Sequence, residues 1–380
     1  MKFLFVSDFV PAPDSGSAGS VLAIGDALSM RGHRVDYEWR STARRRIPHH
    51  TASVVLELPR IQLRQVARRL DGASYDVVVA SQPYAYLMYE RLPRLHPHTL
   101  FLNRTHGWED RLYRAYRRFR WDPPAPVWRR VVSYAAERAI HRACVRTVTA
   151  CQGLIAPSSR CAEFVRATYG VADDKVTVAP YGVDEAFLRQ PRTSPTPHDG
   201  LRLLYVGHYM PGKGSTVLET VLSPFARRYA DVRLTLVVDP ASVEEVRRRY
   251  EPAFGDRLSV RSWTPRDQLR SIYAEHDLLL HPSFFEGFGK AWQEAMACGL
   301  CVVGFGEGGL PDVATNERDA FFCDVGDLDA YRALLDRCLA DPLMARDVGA
   351  RARSVIREYT WDRTAVVTED FCERRRQTLV

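Results

Sequence analysis

The sequence contains no run of about 18 or more uncharged apolar residues, the length that a membrane-spanning helix needs. Its N-terminus passes from Met1 and Lys2 directly into the apolar run 3–6, with Asp8 behind it. This pattern lacks the charged segment, longer apolar stretch and small-residue cleavage site of a signal peptide. We therefore expect a first β-strand here and a cytoplasmic protein.

Cysteine is sparse, with eight residues in a chain of 380, and the cysteines lack the dense spacing of a secreted disulfide scaffold. We expect reduced thiols. Cys298 and Cys301 form a C-x2-C pair, but no second pair or nearby histidine completes a zinc ligand set. We interpret these two residues as packing residues and predict no metal site and no cofactor.

Acidic residues are fewer than basic ones, and the formal net charge is +7. Much of the excess lies in the first half, at 44–46, 64–69 and 114–130. An arginine-biased composition that solvates helix faces would explain it, and no recognised nucleic-acid-binding module accompanies it. The stretch 111–121 mixes basic and aromatic residues as interfacial helices do, which predicts peripheral contact with the inner membrane face or reception of an anionic acceptor.

Apolar strand-like runs alternate with helix-length amphipathic segments along the whole chain, a pattern typical of parallel βαβ units. The fold class is therefore α/β. The predicted strands are 2–6, 34–38, 53–58, 76–80, 99–102, 153–156, 176–179, 201–206, 232–238, 258–261, 277–281, 301–305 and 320–323.

A length of 380 residues suggests roughly two domains. Residues 189–200 concentrate proline and polar residues without hydrophobic periodicity, as a linker does. We place a first domain at 1–188 and a second at 201–362. The basic C-terminal helix, about 363–380, is expected to pack back on the first domain.

Two common nucleotide-binding patterns are missing. The turn 7–20 carries Gly16-x-x-Gly19 before a helix, but it lacks the third glycine of a dinucleotide fingerprint, which disfavours a dehydrogenase. The turn 206–216 carries Gly212-Lys213-Gly214 without P-loop spacing, which disfavours an ATPase. Both turns still join a strand to a helix, where glycines and a helix N-terminus favour an anion.

Polar side chains also follow the strand 99–102, in Asn103-Arg104-Thr105-His106-Gly107-Trp108. Ligands bind beyond the carboxyl ends of parallel strands, and both His106 and Arg104 can donate to phosphate or sugar hydroxyls. On its own this turn is a weak signal, because a histidine in a loop is more often incidental.

The strongest signal is the turn 281–290, which leads into a helix ending before Gly299. Seven residues separate Glu286 from Glu294, so their backbones lie up to about 12 Å apart on a helical rise. A hydrolase pair needs carboxyl groups about 5 to 9.5 Å apart. The two are better spaced to hold the sugar and ribose ends of an extended ligand, with a diphosphate at the amides of 287–289.

Phe285-Glu286-Gly287-Phe288-Gly289, followed by Glu294-Ala295-Met296-Ala297-Cys298-Gly299, resembles the signature of family 4 retaining glycosyltransferases with the GT-B fold. Pro180-Tyr181-Gly182-Val183-Asp184 is similar to the family's Pro-Asn-Gly-Val-Asp, and residues 207–214 occupy the place of its Gly-Arg-x(4)-Lys-Gly motif. The resemblance implies two Rossmann-like domains that face a central cleft.

The resemblance further implies transfer of a hexose from a nucleotide-diphosphate sugar to an acceptor hydroxyl, with retained anomeric configuration and without metal. UDP is the preferred donor nucleotide on family frequency. The acceptor would be a small molecule, a glycan or a lipid-linked sugar, with Arg104 and Trp108 on its side of the site. The implied donor and catalytic residues are Gly16, Ser17, His106, His208, Lys213, Glu286, Gly287, Phe288, Gly289 and Glu294, with Lys213 on the diphosphate, Glu286 on the sugar, Glu294 on the ribose and His106 near the transferred sugar.

The chain departs from the family pattern at two positions. His208 stands where the family has arginine, which removes a permanent cation, and Gly16-Ser17 replaces the usual Gly-Gly. A non-catalytic nucleotide-sugar-binding protein or a GT-B sugar-nucleotide epimerase are the alternative functions.

Overall fold

The computed structural model describes residues 1–12, 14–39, 47, 52–81, 84–119, 126–190 and 200–379. The arginines 44–46, residues 120 and 121 of the basic-aromatic stretch, and most of the expected linker lie outside the described residues. The chain divides into two compact units: unit 1 comprises Met1–Gly182 and Trp361–Val380, and unit 2 comprises Val183–Thr360.

Unit 1 is built on a six-stranded parallel sheet of order β2-β1-β3-β4-β5-β6. Its strands are β1 Lys2–Ser7, β2 Arg34–Trp39, β3 Val77–Ala80, β4 Leu100–Arg104, β5 Gly153–Ala156 and β6 Val176–Val178. Its helices are α1 Gly16–Met30, α2 Leu58–Gly72, α3 Tyr86–Leu95, α4 Glu109–Phe119, α5 Val127–Ala150, α6 Ser159–Tyr169 and the C-terminal helix Trp361–Gln377.

Helices cover both faces of this sheet, because side chains of successive strand residues point to opposite faces. Phe3 and Phe5 pack with α1 and the C-terminal helix, whereas Leu4 and Val6 pack with α2, α3 and α5. The C-terminal helix is fixed to α1 by an ion pair of Arg31 with Glu369, at 2.8 Å. It therefore belongs to unit 1.

Unit 2 carries a second six-stranded parallel sheet, of order β12-β11-β10-β7-β8-β9. Its strands are β7 Arg202–Val206, β8 Arg233–Val238, β9 Leu258–Ser262, β10 Leu278–His281, β11 Cys301–Phe305 and β12 Phe321–Cys323. Its helices are α7 Glu185–Arg189, α8 Ser215–Arg228, α9 Val243–Phe254, α10 Arg266–Ala274, α11 Lys290–Ala297, α12 Leu310–Val313, α13 Leu328–Ala340 and α14 Pro342–Ile356. The C-terminal helix Trp361–Gln377, which belongs to unit 1, is numbered α15.

The predicted strand 53–58 is wrong. Residues Ser53–Glu57 form a π-helical turn that continues into α2. The apolar run was ambiguous because short runs of this kind suit buried strands and buried helices equally. Val55 and Leu58 are buried in the unit 1 core while Leu56 is half exposed, which is the pattern of a helix with one face inward. The other predicted strands are found, with ends that differ by at most two residues.

The division between the units falls at Gly182, earlier than the predicted end of the first domain at 188, because α7 packs with unit 2. Phe187 of this helix is fully buried there, against Tyr273. All eight cysteines are free thiols, and Cys298 and Cys301 are buried packing residues. Over the described residues, no helix has the length and apolar character needed to cross a bilayer.

Candidate active site

The strand order of unit 2 reverses between β7 and β10, which are adjacent in the sheet. In open parallel sheets the crevice at such a switch point, outside the carboxyl ends of the strands, is where ligands bind. The turn after β7 is 207–214, and the turn after β10 is 282–289. The two motifs with the strongest chemical signals in the second half of the sequence therefore lie side by side.

Gly214 lets these two turns touch. Its φ is +86°, and an added Cβ would lie 2.2 Å from the carbonyl oxygen of Pro282. A larger residue would be strained and would collide with backbone. The Phe284 amide also donates to the Gly212 carbonyl at 3.0 Å. The turn that carries Lys213 is thus held directly against the turn that carries Glu286.

The charged centre of the site is the pair of Lys213 and Glu286. Nζ of Lys213 lies 2.7 Å from Oε1 of Glu286 and 3.4 Å from the Phe285 carbonyl oxygen. Burial alone would raise the pKa of Glu286, but Lys213 and His281 outweigh it, and the pKa is lowered overall. Glu286 is therefore an anionic acceptor of hydrogen bonds, with an ammonium group beside it.

His281 and Glu307 complete the surroundings of Glu286, and sequence reasoning missed both. Burial lowers the pKa of His281 to about 4, so this ring, 3.7 Å from Glu286, is neutral near pH 7 and Lys213 is the balancing cation. Glu307, which follows β11, accepts a hydrogen bond from the Glu286 amide at 3.3 Å. The glycines at 306, 308 and 309 could have indicated Glu307 from the sequence, since they form another turn at the carboxyl end of a strand.

The loop Gly287-Phe288-Gly289 is fixed at the start of α11. Gly289 has φ of +101°, and the Trp292 indole donates to the Phe288 carbonyl at 2.8 Å. Phe288 is buried, so its ring packs inward while the loop backbone passes from the end of β10 to the helix N-terminus. A helix N-terminus carries a partial positive charge, which favours a phosphate group at this position.

Glu294 lies in the second turn of α11 and has different partners from Glu286. Oε1 is 3.4 Å from Arg266, and Oε2 accepts a hydrogen bond from the Tyr273 hydroxyl at 3.3 Å. Burial raises its pKa, against the lowering effect of Lys290 and Arg266. Arg266 also pairs with Asp184 at 3.4 Å. No local pattern in the sequence indicated Arg266 or Tyr273, because both act through contacts formed only in the fold.

His208 takes the place of the expected arginine at the edge of the same turn. Its side chain is 56% exposed and meets Trp263 edge to face at 4.8 Å. The neighbouring Tyr209 amide donates to Asp239 at 3.2 Å, which ties this turn to the end of β8. His208 thus lies open to solvent beside a half-exposed indole.

Unit 1 places its predicted residues on the ends of β1 and β4. Gly16 and Ser17 form the first residues of α1, where the Ser15 hydroxyl caps the helix by accepting from the amides of Ala18 and Gly19. His106 lies two residues beyond β4. Its Nδ1 is 2.6 Å from the Tyr181 hydroxyl, and its ring also contacts Phe9 at 5.7 Å. The turns that follow β1 and β4 are therefore brought together within unit 1.

Arg104 and Trp108 do not reach a surface. Trp108 is 0% exposed and packs on Tyr169 in the core of unit 1, so its indole cannot contact an acceptor in this structure. Arg104 is 1% exposed, and its guanidinium carbon lies 4.9 Å from the centre of the Tyr181 ring. Among the residues that the structure describes, no group of three histidine, cysteine or acidic side chains is placed to hold a metal ion.

Family models match the two halves of the chain in succession. The model described as Glycosyltransferase Family 4 matches residues 15–187, and the model described as Glycosyl transferases group 1 matches residues 187–355. The chain belongs to the group 1, family 4 glycosyltransferases. Its two parallel-sheet units agree with the GT-B fold expected from the signature of residues 285–299.

Relatives and solved structures agree with this family. A D-inositol 3-phosphate glycosyltransferase from Pseudarthrobacter chlorophenolicus is 32% identical over 226 residues, which are 56% of this chain and 53% of that protein. The matches to such curated relatives span about half of their length. Sucrose-phosphate synthase from Thermosynechococcus elongatus has the same fold, with a TM-score of 0.77, 18% identity, and coverage of 98% of this chain and 99% of that one.

A second similar structure, Anabaena HepE in complex with UDP-glucose, has a TM-score of 0.69 and 16% identity over 98% of this chain and 99% of that one. At this identity the likeness concerns the fold. The family assignment therefore rests on the two family models, and the fold assignment on the sheets and these neighbours.

Proposed function

We propose that this family 4 glycosyltransferase moves a hexose from a nucleotide-diphosphate sugar, UDP-sugar by preference, to an acceptor hydroxyl with retention of configuration. The observation that carries the proposal is the Lys213–Glu286 pair at the switch point of unit 2. It supplies a cation for a diphosphate and an anionic acceptor for sugar hydroxyls within one contact. The UDP-glucose bound by HepE supports the choice of donor class.

In this proposal, unit 2 binds the donor. Lys213 and the start of α11 hold the diphosphate, and no metal ion is required for its charge. Glu286 accepts hydrogen bonds from the sugar, and the low pKa of its carboxyl keeps it ionised for that task. Glu294 accepts from the ribose hydroxyls, since a carboxylate can accept several hydrogen bonds in addition to those from Arg266 and Tyr273.

Unit 1 supplies the acceptor site and two groups for the reaction. Gly16 and Ser17, at the N-terminus of α1, are the proposed contacts of the donor phosphates, and His106 is the proposed contact of the transferred sugar, as the family resemblance implies. Retention follows from attack on the same face as the departing diphosphate, whose oxygen takes the acceptor proton. Relatives named D-inositol 3-phosphate glycosyltransferase suggest a polyol or sugar phosphate as the acceptor class to try first.

Thermal stabilisation of the purified protein tests the donor proposal. UDP, GDP, ADP, dTDP and their sugars are added, and a ligand at about 100 times its dissociation constant should contribute about 2.7 kcal/mol to stability. We expect a shift with one nucleotide that is lost in Glu294→Ala. The matched control is Glu251→Ala, an exposed glutamate of α9 in the same unit, which should keep the shift. Absence of a shift with every ligand would contradict the proposal.

We further propose that unit 1 contacts an anionic membrane surface through α4 and α5. Val127, Trp128 and Val131 at the start of α5 are 74%, 62% and 61% exposed. Arg117 and Arg118 of α4, which lie in the basic-aromatic stretch 111–121, are also exposed. Apolar and aromatic side chains beside arginines suit the interface of an anionic bilayer.

Co-sedimentation with vesicles tests the membrane contact. Binding should be stronger to vesicles that contain phosphatidylserine than to phosphatidylcholine alone, and the double variant Trp128→Ser, Val131→Ser should lower the bound fraction. Leu343→Ser is the control, because this residue is 72% exposed on unit 2. Equal sedimentation with and without anionic vesicles would remove the membrane contact and leave the donor proposal untouched.

A further inference from the structure

The surroundings of His106 contain Tyr181, to which no role has been assigned, and Arg104, which was predicted on the acceptor side and is buried. Tyr181 stands where the family signature has asparagine. Its side chain is 5% exposed and stacks on Trp361, the first residue of α15, with ring centroids 5.8 Å apart. The ring is therefore held rigidly, and its hydroxyl lies 2.6 Å from Nδ1 of His106.

This 2.6 Å distance indicates which atom donates. Hydrogen bonds from an N–H group to oxygen measure about 2.7–3.2 Å, so 2.6 Å is short for a bond donated by Nδ1 to the Tyr181 hydroxyl. The alternative is that Nδ1 carries the proton and donates to Tyr181, which in turn donates to Ser20. Ser20 itself donates to the Ser17 carbonyl at 2.8 Å, and its oxygen lies 3.4 Å from Nδ1, which is longer than an ordinary hydrogen bond donated by a ring N–H group.

Arg104 favours the first arrangement. Its guanidinium lies against the Tyr181 ring, and all three of its nitrogen atoms are buried without a hydrogen-bond partner among the described residues. Burial lowers the pKa of this arginine, while Tyr181 acts in the opposite direction. An arginine nevertheless stays protonated in proteins. A positive charge over the ring withdraws electron density from the phenol oxygen, which makes the hydroxyl a better donor and a poorer acceptor.

We propose that Tyr181, backed by the Arg104 cation, is a positioning residue that donates its hydroxyl proton to Nδ1 of His106 and so fixes the proton of the neutral ring on Nε2. His106 then presents an N–H donor, not a lone pair, at the carboxyl end of β4. The contact to the transferred sugar would be a hydrogen bond donated to one of its oxygens. The inference rests on the proposed role of His106, but the state of the ring can be measured independently of activity.

The first measurement is nitrogen NMR of the full chain with ring-labelled histidine, in which His106→Gln assigns one signal among the 11 histidines. We expect wild-type His106 to show a protonated Nε2 and an unprotonated, hydrogen-bonded Nδ1. Tyr181→Phe keeps the stacked ring and removes only the hydroxyl, so the signal should move toward a mixture of the two tautomers. Tyr86→Phe is the matched control, since its hydroxyl bonds to the Val55 carbonyl, away from any histidine.

Two results would overturn the inference: a proton on Nδ1 in the wild type, or ring nitrogens unchanged by Tyr181→Phe. Arg104→Met tests the cation separately and should shift the same signal in the same direction. In the transfer reaction, Tyr181→Phe should lower kcat by about 10- to 100-fold without changing nucleotide binding. An unchanged kcat would also overturn the positioning role, whereas inactive wild-type protein would count against the proposed function alone.

Discussion

Replacing Glu286 with glutamine should separate the binding of a nucleotide diphosphate from that of its sugar. In the structure Lys213 forms an ion pair with this carboxylate at 2.7 Å. Glutamine keeps the shape but removes the charge, so Lys213 becomes more available to a phosphate, and UDP binding should be unchanged or tighter. UDP-glucose loses hydrogen bonds to a charged acceptor, which are worth about 1.5–3 kcal/mol.

This difference corresponds to a loss of about 10- to 100-fold in affinity for UDP-glucose relative to UDP. Isothermal titration calorimetry with both ligands on wild type and Glu286→Gln measures it. The effect on folding should be small, about 1 kcal/mol or less, because Lys213 is 31% exposed and can be solvated when its partner is lost. Lys213→Met is the companion variant and should weaken both ligands alike.

The reasoning would be refuted by an equal loss for UDP and UDP-glucose in Glu286→Gln. That result would mean that the carboxylate acts on the nucleotide end, or only maintains the turn. A loss confined to UDP would reverse the assignment of the two ends of the ligand. Unfolding in denaturant, measured in parallel, distinguishes either outcome from a damaged fold.

Two further predictions concern the packing and titration of the site regions. Gly309→Ala would place a methyl group 2.2 Å from the Phe288 ring. This variant should lower the free energy of unfolding, measured in denaturant, by about 1–3 kcal/mol and should weaken nucleotide binding. Gly72→Ala is the control, because an added Cβ there has no atom within 4 Å, and its stability should be unchanged or slightly higher. Burial raises the pKa of Glu109 to about 8, with a smaller contribution from Asp8. The folded state therefore binds an extra proton between the two pKa values, and stability falls as pH rises through this window. Glu109→Gln removes this titration. The free energy of unfolding of the variant should therefore rise relative to that of the wild type from about pH 5 to about pH 8, by about 2 kcal/mol after allowance for partial exposure. A difference in stability that does not depend on pH would contradict the shifted pKa.

The fold was largely predictable because hydrophobic periodicity is a local property. Strands buried on both faces give short continuous apolar runs, and these located the sheets of both units. The failure at 53–58 has the same origin, since four or five apolar residues in a row fit a buried helical turn as well. The order of the strands, and thus the neighbouring position of 207–214 and 282–289, needed the structure.

The site was predictable where the chemistry lies in one segment. Glu286, Glu294, the glycines between them and Lys213 were predicted from spacing and motif, and the structure places Lys213 beside Glu286. Their partners were not, because Arg266, Tyr273 and Glu307 approach from distant turns and carry no local signal. Trp108 shows the opposite error, since an aromatic residue after a polar turn can belong to the core as readily as to a ligand surface.

The two glutamates of the signature show how the fold gives identical side chains different electrostatic surroundings. Both are largely buried, and burial alone raises the pKa of each. Only Glu286 has an ammonium group in direct contact, and its pKa is lowered, whereas that of Glu294 stays raised beside the more distant Arg266. Because the cation at Glu286 comes from the turn after β7, the charge state of Glu286 depends on a neighbouring strand, whereas Glu294 lies in α11 itself. In the proposed assignment, a change in the β7 turn should therefore affect binding of the diphosphate and the sugar before binding of the ribose.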